Sequence, residues 1–197
     1  MTLSTRMISV LTAIGLLSGG FLAGVGILTK ERIALNKQRE IEAAILEVVP
    51  GTASSTIDHK EENMTVYAGK NTEGELIGYS IYVSGTGFQD IITLMFGTDP
   101  SMSKISRLTV LEQKETPGLG AKIADWDSFL QYWVDRDASQ SLSLQKPAAA
   151  SLAELDPSEV NTITGATISS EKVMEMVNGA LEKLKAFRSK TTANEKK

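Results

Sequence analysis

Cysteine is absent from the 197 residues, and histidine occurs once, at His59. Without a thiol the chain has no disulfide framework, no Cys-ligated zinc or iron–sulfur centre and no cysteine nucleophile. One imidazole excludes a multi-His metal site, and any Ser–His–Asp arrangement would have to run through His59. An excess of positive charge is missing too. The 20 basic side chains face 24 acidic ones for a net −4, which argues against the basic stripe of a nucleic-acid binder. Hydrophobic residues make up 42%, enough for a globular chain, and the length suits one domain with an addition.

The addition is N-terminal. Met7 to Thr29 carry no charge over 23 residues, and a helix of that length spans roughly 34 Å, enough for a hydrocarbon core of about 30 Å. Lys30, Glu31 and Arg32 follow directly, as in a stop-transfer anchor rather than a cleaved signal peptide. Gly15 and Gly19, and Gly20 and Gly24, are spaced for close approach of a second membrane helix. Lys30, Arg32, Lys37 and Arg39 outnumber Arg6 as flanking charges, so the positive-inside bias alone would favour a cytoplasmic C-terminal part.

The remainder reads as α+β, an antiparallel sheet packed with helices behind one transmembrane helix. Residues 1–29 are the anchor, 30–50 a helical stalk that docks on the domain, 51–188 the domain, and 189–197 a charged tail expected to be disordered. Glu31 to Val49 lacks Gly and Pro, and Pro50-Gly51 ends it. Met64–Tyr67, Leu76–Val83, Ile91–Phe96 and Ile105–Leu111 are β-branched and aromatic runs with short polar connections, the pattern of antiparallel strands. Ala121–Val134 is expected to be a helix with Ile123, Trp126, Phe129, Leu130 and Trp133 on one side. Asp135–Pro157 reads mostly as loop. Glu171–Phe187 is the clearest amphipathic helix. His59, among Asp58, Lys60, Glu61 and Glu62, reads as solvated surface.

Three glycine-bearing loops hold the chemistry. In Asn161-Thr-Ile-Thr-Gly-Ala-Thr-Ile-Ser-Ser170, Ser169 or Ser170 is placed to cap the last helix, and free N–H groups at its start suit an anion such as phosphate. The same stretch also reads as a glycine turn and a serine cap with no ligand. Glu115-Thr-Pro-Gly-Leu-Gly120 is a fixed turn with apolar Leu119 at its tip, and it lacks the spacing of a dinucleotide fingerprint. Ser84-Gly-Thr-Gly-Phe-Gln-Asp90 alone is an ordinary hairpin loop.

Gly78-Tyr79 through Gly87, Glu115 to Gly120 and Thr164 to Ser170, in this order behind a single anchor, resemble the FMN-binding domain of the Rnf-complex G subunit and its relative, the C subunit of the sodium-pumping NADH:quinone reductase. The resemblance implies FMN esterified through its phosphate to Thr167, the last residue of Thr164-Gly165-Ala166-Thr167, by a dedicated FAD- and magnesium-dependent flavin transferase. Two positions depart from the pattern: Thr164 stands where serine is frequent, and Asn161 where an aspartate often precedes the motif. Neither removes the acceptor hydroxyl. By the same resemblance the chain is a redox subunit of an ion-translocating ferredoxin:NAD⁺ oxidoreductase. It would carry electrons beside other membrane and peripheral subunits, with its flavin domain on the outer side of the cytoplasmic membrane. It would have no metal site and no catalytic triad of its own. Ser84, Gly85, Glu115, Thr116, Gly118 and Leu119 are expected over the isoalloxazine, with Thr164, Gly165, Ala166 and Thr167 at the phosphate end. A membrane-anchored regulatory or sensory FMN module is the alternative, and a ligand-free anchored scaffold a third.

Overall fold

The computed structural model describes residues 2–195 and divides into two units, residues 1–42 and 43–197. Helix α1, Leu3–Val48, begins in the first. Its most apolar 18-residue window has a mean hydropathy of 2.0 and is wholly exposed. Side chains such as Leu16, Phe21 and Leu28 lie about three-quarters bare. The helix is long and apolar enough to cross a membrane, and a surface of that kind is stable in lipid rather than in water.

The second unit is built on an antiparallel meander of six strands in sequence order: β1 Ser54–Lys60, β2 Met64–Lys70, β3 Leu76–Thr86, β4 Ile91–Thr98, β5 Lys104–Glu112 and β6 Arg136–Asp137. Asn71 makes the β2–β3 turn, its side chain accepting the N–H groups of Glu73 and Glu75 at 3.0 and 2.9 Å. Two short parallel strands, β7 Ser143–Gln145 and β8 Glu159–Asn161, lead to helix α2, Thr167–Glu195. Alternate residues of the meander point to one face: Val66 and Ala68, Tyr79, Ile81 and Val83, Leu94 and Phe96. There they form one core with Val173, Val177, Ala180, Leu181 and Leu184 of α2. At about 1.5–3 kcal/mol per large apolar side chain buried, this alternation fixes which face α2 covers.

The opposite face is pared down to small residues where the end of α1 lies. Ala44, Ile45, Val48 and Val49 are buried there. A β-carbon on Gly97 would collide with the carbonyl of Val48, and one on Gly78 would stand 3.1 Å from Val49. Ser106 donates its hydroxyl to the Val48 carbonyl at 2.5 Å, which satisfies one of the acceptors left open at a helix C-terminus. The last turn of α1 therefore belongs to the core of the second unit.

Four expectations change. Ala121–Val134 is two isolated 3-10 turns, Gly120–Ala124 and Leu130–Trp133, separated at the extended residue Asp125. Ile123, Phe129, Leu130 and Trp133 are buried, but Trp126 is 48% exposed. A strand not foreseen, β1, carries His59, whose ring lies 4.1 Å from that of Phe187 and whose Nε2 is 3.1 Å from Glu61 Oε1. His59 is thus half-buried against α2 rather than simply solvated. Helix α2 begins four residues early, so Ser169 and Ser170 lie inside its first turn instead of capping it. The helix also runs through the segment read as a tail as far as Glu195, while residues 196 and 197 lie outside the described residues.

Candidate functional site

Two turns of the same design meet at the mouth of a cavity. In Thr116-Pro117-Gly118-Leu119 the N–H of Leu119 donates to the Thr116 carbonyl at 3.1 Å, and Gly118 takes φ +76. In Ile163-Thr164-Gly165-Ala166 the N–H of Ala166 donates to the Ile163 carbonyl at 2.9 Å, and Gly165 takes φ +84. A type II turn needs positive φ at its third residue, which glycine supplies without strain. The second turn delivers the chain into α2 at Thr167. The first helical hydrogen bond runs from Ser170 N–H to the Ala166 carbonyl, so the N–H groups of Thr167, Ile168 and Ser169 precede the ladder.

The cavity measures about 340 Å³. Phe88 contributes one wall and Glu115, Thr116, Leu119 and Gly120 another. Gly165, Ala166, Thr167, Ile168 and Ser169 close it. Phe88 (59%), Leu119 (49%) and Ile168 (48%) keep much of their apolar surface exposed. Neither lysine nor arginine lines the cavity.

Glu115 is 4% exposed beneath these walls. Its Oε1 accepts the N–H groups of Phe88 and Gln89 at 2.9 and 3.0 Å, and its Oε2 accepts the Ser169 hydroxyl at 2.6 Å. Ser170 ties the motif to the helix: its hydroxyl donates to the Ala166 carbonyl at 3.1 Å and accepts the Ile163 N–H at 3.2 Å. Asn161 is buried as well, accepting the Ala149 N–H at 2.8 Å and donating to the Ala149 carbonyl at 3.0 Å.

Of the expected site residues, the structure brings Glu115, Thr116, Leu119, Gly165, Ala166 and Thr167 together. Gly118 shapes the turn without lining the cavity, and Thr164 is exposed on the other side of Gly165. Ser84 and Gly85 are not brought to it. They belong to β3, where the Ser84 hydroxyl pairs with that of Thr93 at 3.2 Å and a β-carbon on Gly85 would press on Met176 of α2 at 3.0 Å. The strand runs three residues longer than its apolar pattern and draws both into the sheet. Phe88 and Ile168 were missed. Each is a large apolar residue next to a glycine- or threonine-bearing motif, and that adjacency was the available signal.

These residues fit a flavin phosphate ester. Exposed apolar side chains suit a planar ring, and a hydroxyl stands among open N–H groups at a helix start, where phosphate charge is stabilised. Residues 87–182 match the family model of the FMN-binding domain. The chain is 27% identical over 189 residues to the G subunit of the ion-translocating oxidoreductase complex of Methanosarcina acetivorans, covering 92% of this chain and 95% of that one. It is 29% identical over 150 residues to the G subunit of the Na(+)-translocating ferredoxin:NAD(+) oxidoreductase complex of Acetobacterium woodii, covering 75% and 69%. The crystal structure of Shewanella oneidensis NqrC has the same fold, with a TM-score of 0.53 at 20% identity over 69% of this chain and 72% of that one.

Proposed function

We propose, for a chain whose residues 87–182 match the FMN-binding domain, that it is the electron-carrying G subunit of a membrane ion-translocating ferredoxin:NAD⁺ oxidoreductase. Its FMN would be held as a phosphoester on Thr167. The relatives matched over most of the chain carry that subunit name, and α1 fits the single anchor such a subunit needs.

The observation that carries the covalent reading is the position of Thr167 as the first residue of α2 on the cavity wall. With no cationic side chain in the lining, the helix start is what the site offers a phosphate. Esterification lowers the phosphate charge and replaces a weak ionic hold by a bond. On this reading the Thr167 hydroxyl oxygen would bond to the phosphorus of the FMN half of FAD, giving up its proton and displacing AMP from the pyrophosphate. The bound flavin supplies one- and two-electron carriage. The chain's own residues orient it: Leu119, Phe88 and Ile168 offer apolar surface to a ring, and the Thr116–Gly120 turn sets the wall beside it. On the family resemblance, the domain lies on the extracytoplasmic side and matures through an FAD-dependent transferase.

The test is the intact mass of the protein purified from its native host, followed by peptide mapping. The expected result is the added mass of one FMN phosphoester on Thr167. An unmodified chain in the presence of its transferase would overturn the covalent reading. Co-purification with multi-span membrane proteins is expected as well, and a solitary chain would favour a sensory module instead.

A further inference from the structure

We infer that Glu115 is the positioning residue of this site. It pins the loop carrying Phe88 to the first turn of α2 carrying Thr167, acting as a hydrogen-bond acceptor rather than as a ligand of the cofactor. The inference rests on the flavin reading for its consequence and on geometry alone for the pin.

Two segments far apart in sequence, at residues 88–89 and at Ser169, converge on the Glu115 carboxylate. Both oxygens are occupied, Oε1 by the backbone of Phe88 and Gln89 and Oε2 by the Ser169 hydroxyl. The N–H of Glu115 itself donates to the side chain of Gln113 at 2.7 Å. Among the described residues Glu115 makes no ion pair, so its burial is compensated by those three donors. The slot admits nothing else. A β-carbon on Gly87 would stand 2.5 Å from Oε1, and one on Gly120 would stand 2.7 Å from both Oε2 and the Ser169 oxygen. Glycine at 87 and 120 is thus the counterpart of a carboxylate at 115. Ser169 lies two residues beyond Thr167 on the same helical turn, so the pin fixes the acceptor hydroxyl relative to the opposite wall.

The geometry also says which replacement preserves it. The glutamine oxygen in Glu115→Gln can accept both N–H groups while its amide donates to the Ser169 oxygen, whose hydroxyl then turns away. Charge is lost and geometry kept. Glu115→Ala leaves two N–H groups and one hydroxyl without an acceptor.

The experiment uses the full-length chain in detergent. It reads amide hydrogen exchange in the flavin-free protein and the initial rate of flavinylation by transferase and FAD. In Glu115→Ala, exchange at the hydrogen-bonded amides of Phe88, Gln89 and Ser170 is expected to rise about tenfold or more, and flavinylation to slow by a similar factor. Glu115→Gln should restore both to within about threefold. Wild-type exchange and flavinylation rates in Glu115→Ala would overturn the pin, as would a folded Glu115→Gln as defective as the alanine variant. Ser169→Ala, which removes a single bond, carries the test should Glu115→Ala fail to fold: faster exchange at Ser170, whose N–H is bonded to the Ala166 carbonyl, supports the pin, and unchanged exchange refutes it. A wild-type chain that accepts no flavin would defeat the functional reading, while the exchange data still decide the pin.

Discussion

Leu119 lies over Gly165: its Cδ2 stands 3.5 Å from the place a β-carbon on that glycine would occupy. The contact brings an apolar tip above the turn that leads to Thr167, beside the bond by which Glu115 of the same loop holds Ser169. Because 3.5 Å is an ordinary contact, Gly165→Ala should fail through its backbone rather than through a clash. At φ +84 an alanine costs about 1–2 kcal/mol, a loss that chemical denaturation of the full chain would register. Leu119→Asp should leave stability nearly unchanged, since the side chain is half exposed, but shift the flavin absorption band and move its midpoint potential negative. An unaltered spectrum and potential would remove Leu119 from the ring contacts.

Thr164 and Thr167 offer two hydroxyls three residues apart, and only the second lies at the start of α2 on the cavity wall. Thr167→Ala is expected to abolish covalent flavin while leaving a folded, membrane-anchored protein, and Thr164→Ser to preserve it. In-gel flavin fluorescence and peptide mass spectra after co-expression with a transferase distinguish the two. Flavin on Thr164 would contradict the assignment.

Asn161 uses both ends of its amide on the backbone of Ala149. An aspartate accepts one of these bonds and sets a second oxygen against the Ala149 carbonyl. Asn161→Asp should therefore cost about 1–3 kcal/mol, lower the unfolding midpoint, and bring no gain in flavinylation. A faster flavinylation in that variant would mean that the transferase reads the carboxylate.

Asp99 contributes to the acid limb of stability. Burial works to raise its pKa, but hydrogen bonds from the Ser101 and Ser103 hydroxyls and from the N–H groups of Lys104 and Ser103 outweigh it and hold the carboxyl below its ordinary value. A depressed folded value means that the unfolded chain takes the proton first as pH falls. The contribution is therefore present above about pH 4 and lost as pH drops through the folded value. Urea midpoints measured from about pH 6 down to about pH 2.5 should fall less steeply in Asp99→Asn than in the parent.

Gly97 lies directly beneath the Val48 carbonyl. Gly97→Ala must push the end of α1 off the sheet or bend β4, and either route also weakens the bond from Ser106. A loss of about 2 kcal/mol or more is expected, together with faster hydrogen exchange in residues 44–49.

The strands from β2 to β5 were legible because each is a run of β-branched and aromatic residues bounded by short polar connections, and that composition survives in sequence. β1 was not. Its apolar Ile57 is 59% exposed, so this edge strand is held by pairing to β2, which leaves no hydrophobic trace. The segment after Gly120 misled for the opposite reason. Ile123, Phe129, Leu130 and Trp133 recur at helical spacing, yet the Asp125 carboxylate accepts the Ser128 N–H at 2.8 Å and breaks the run into two turns. At the site, Thr167 and Leu119 could be read from local motif and turn chemistry. The roles of Glu115 and Ser169 could not, because the bond joining them spans 54 positions and neither residue announces its partner.

The burial of Ala44, Ile45, Val48 and Val49 bears on where this protein can be cut. A truncation that discards the whole helix as a tether, starting at residue 51, would unroof the glycine strip at Gly78 and Gly97 and expose the back of the sheet to water. One that begins ahead of Ala43 keeps the roof and sheds the apolar length of the helix with the charged turns that follow it. The practical border of a soluble fragment thus falls inside an unbroken helix, several residues before the proline and glycine that mark its end.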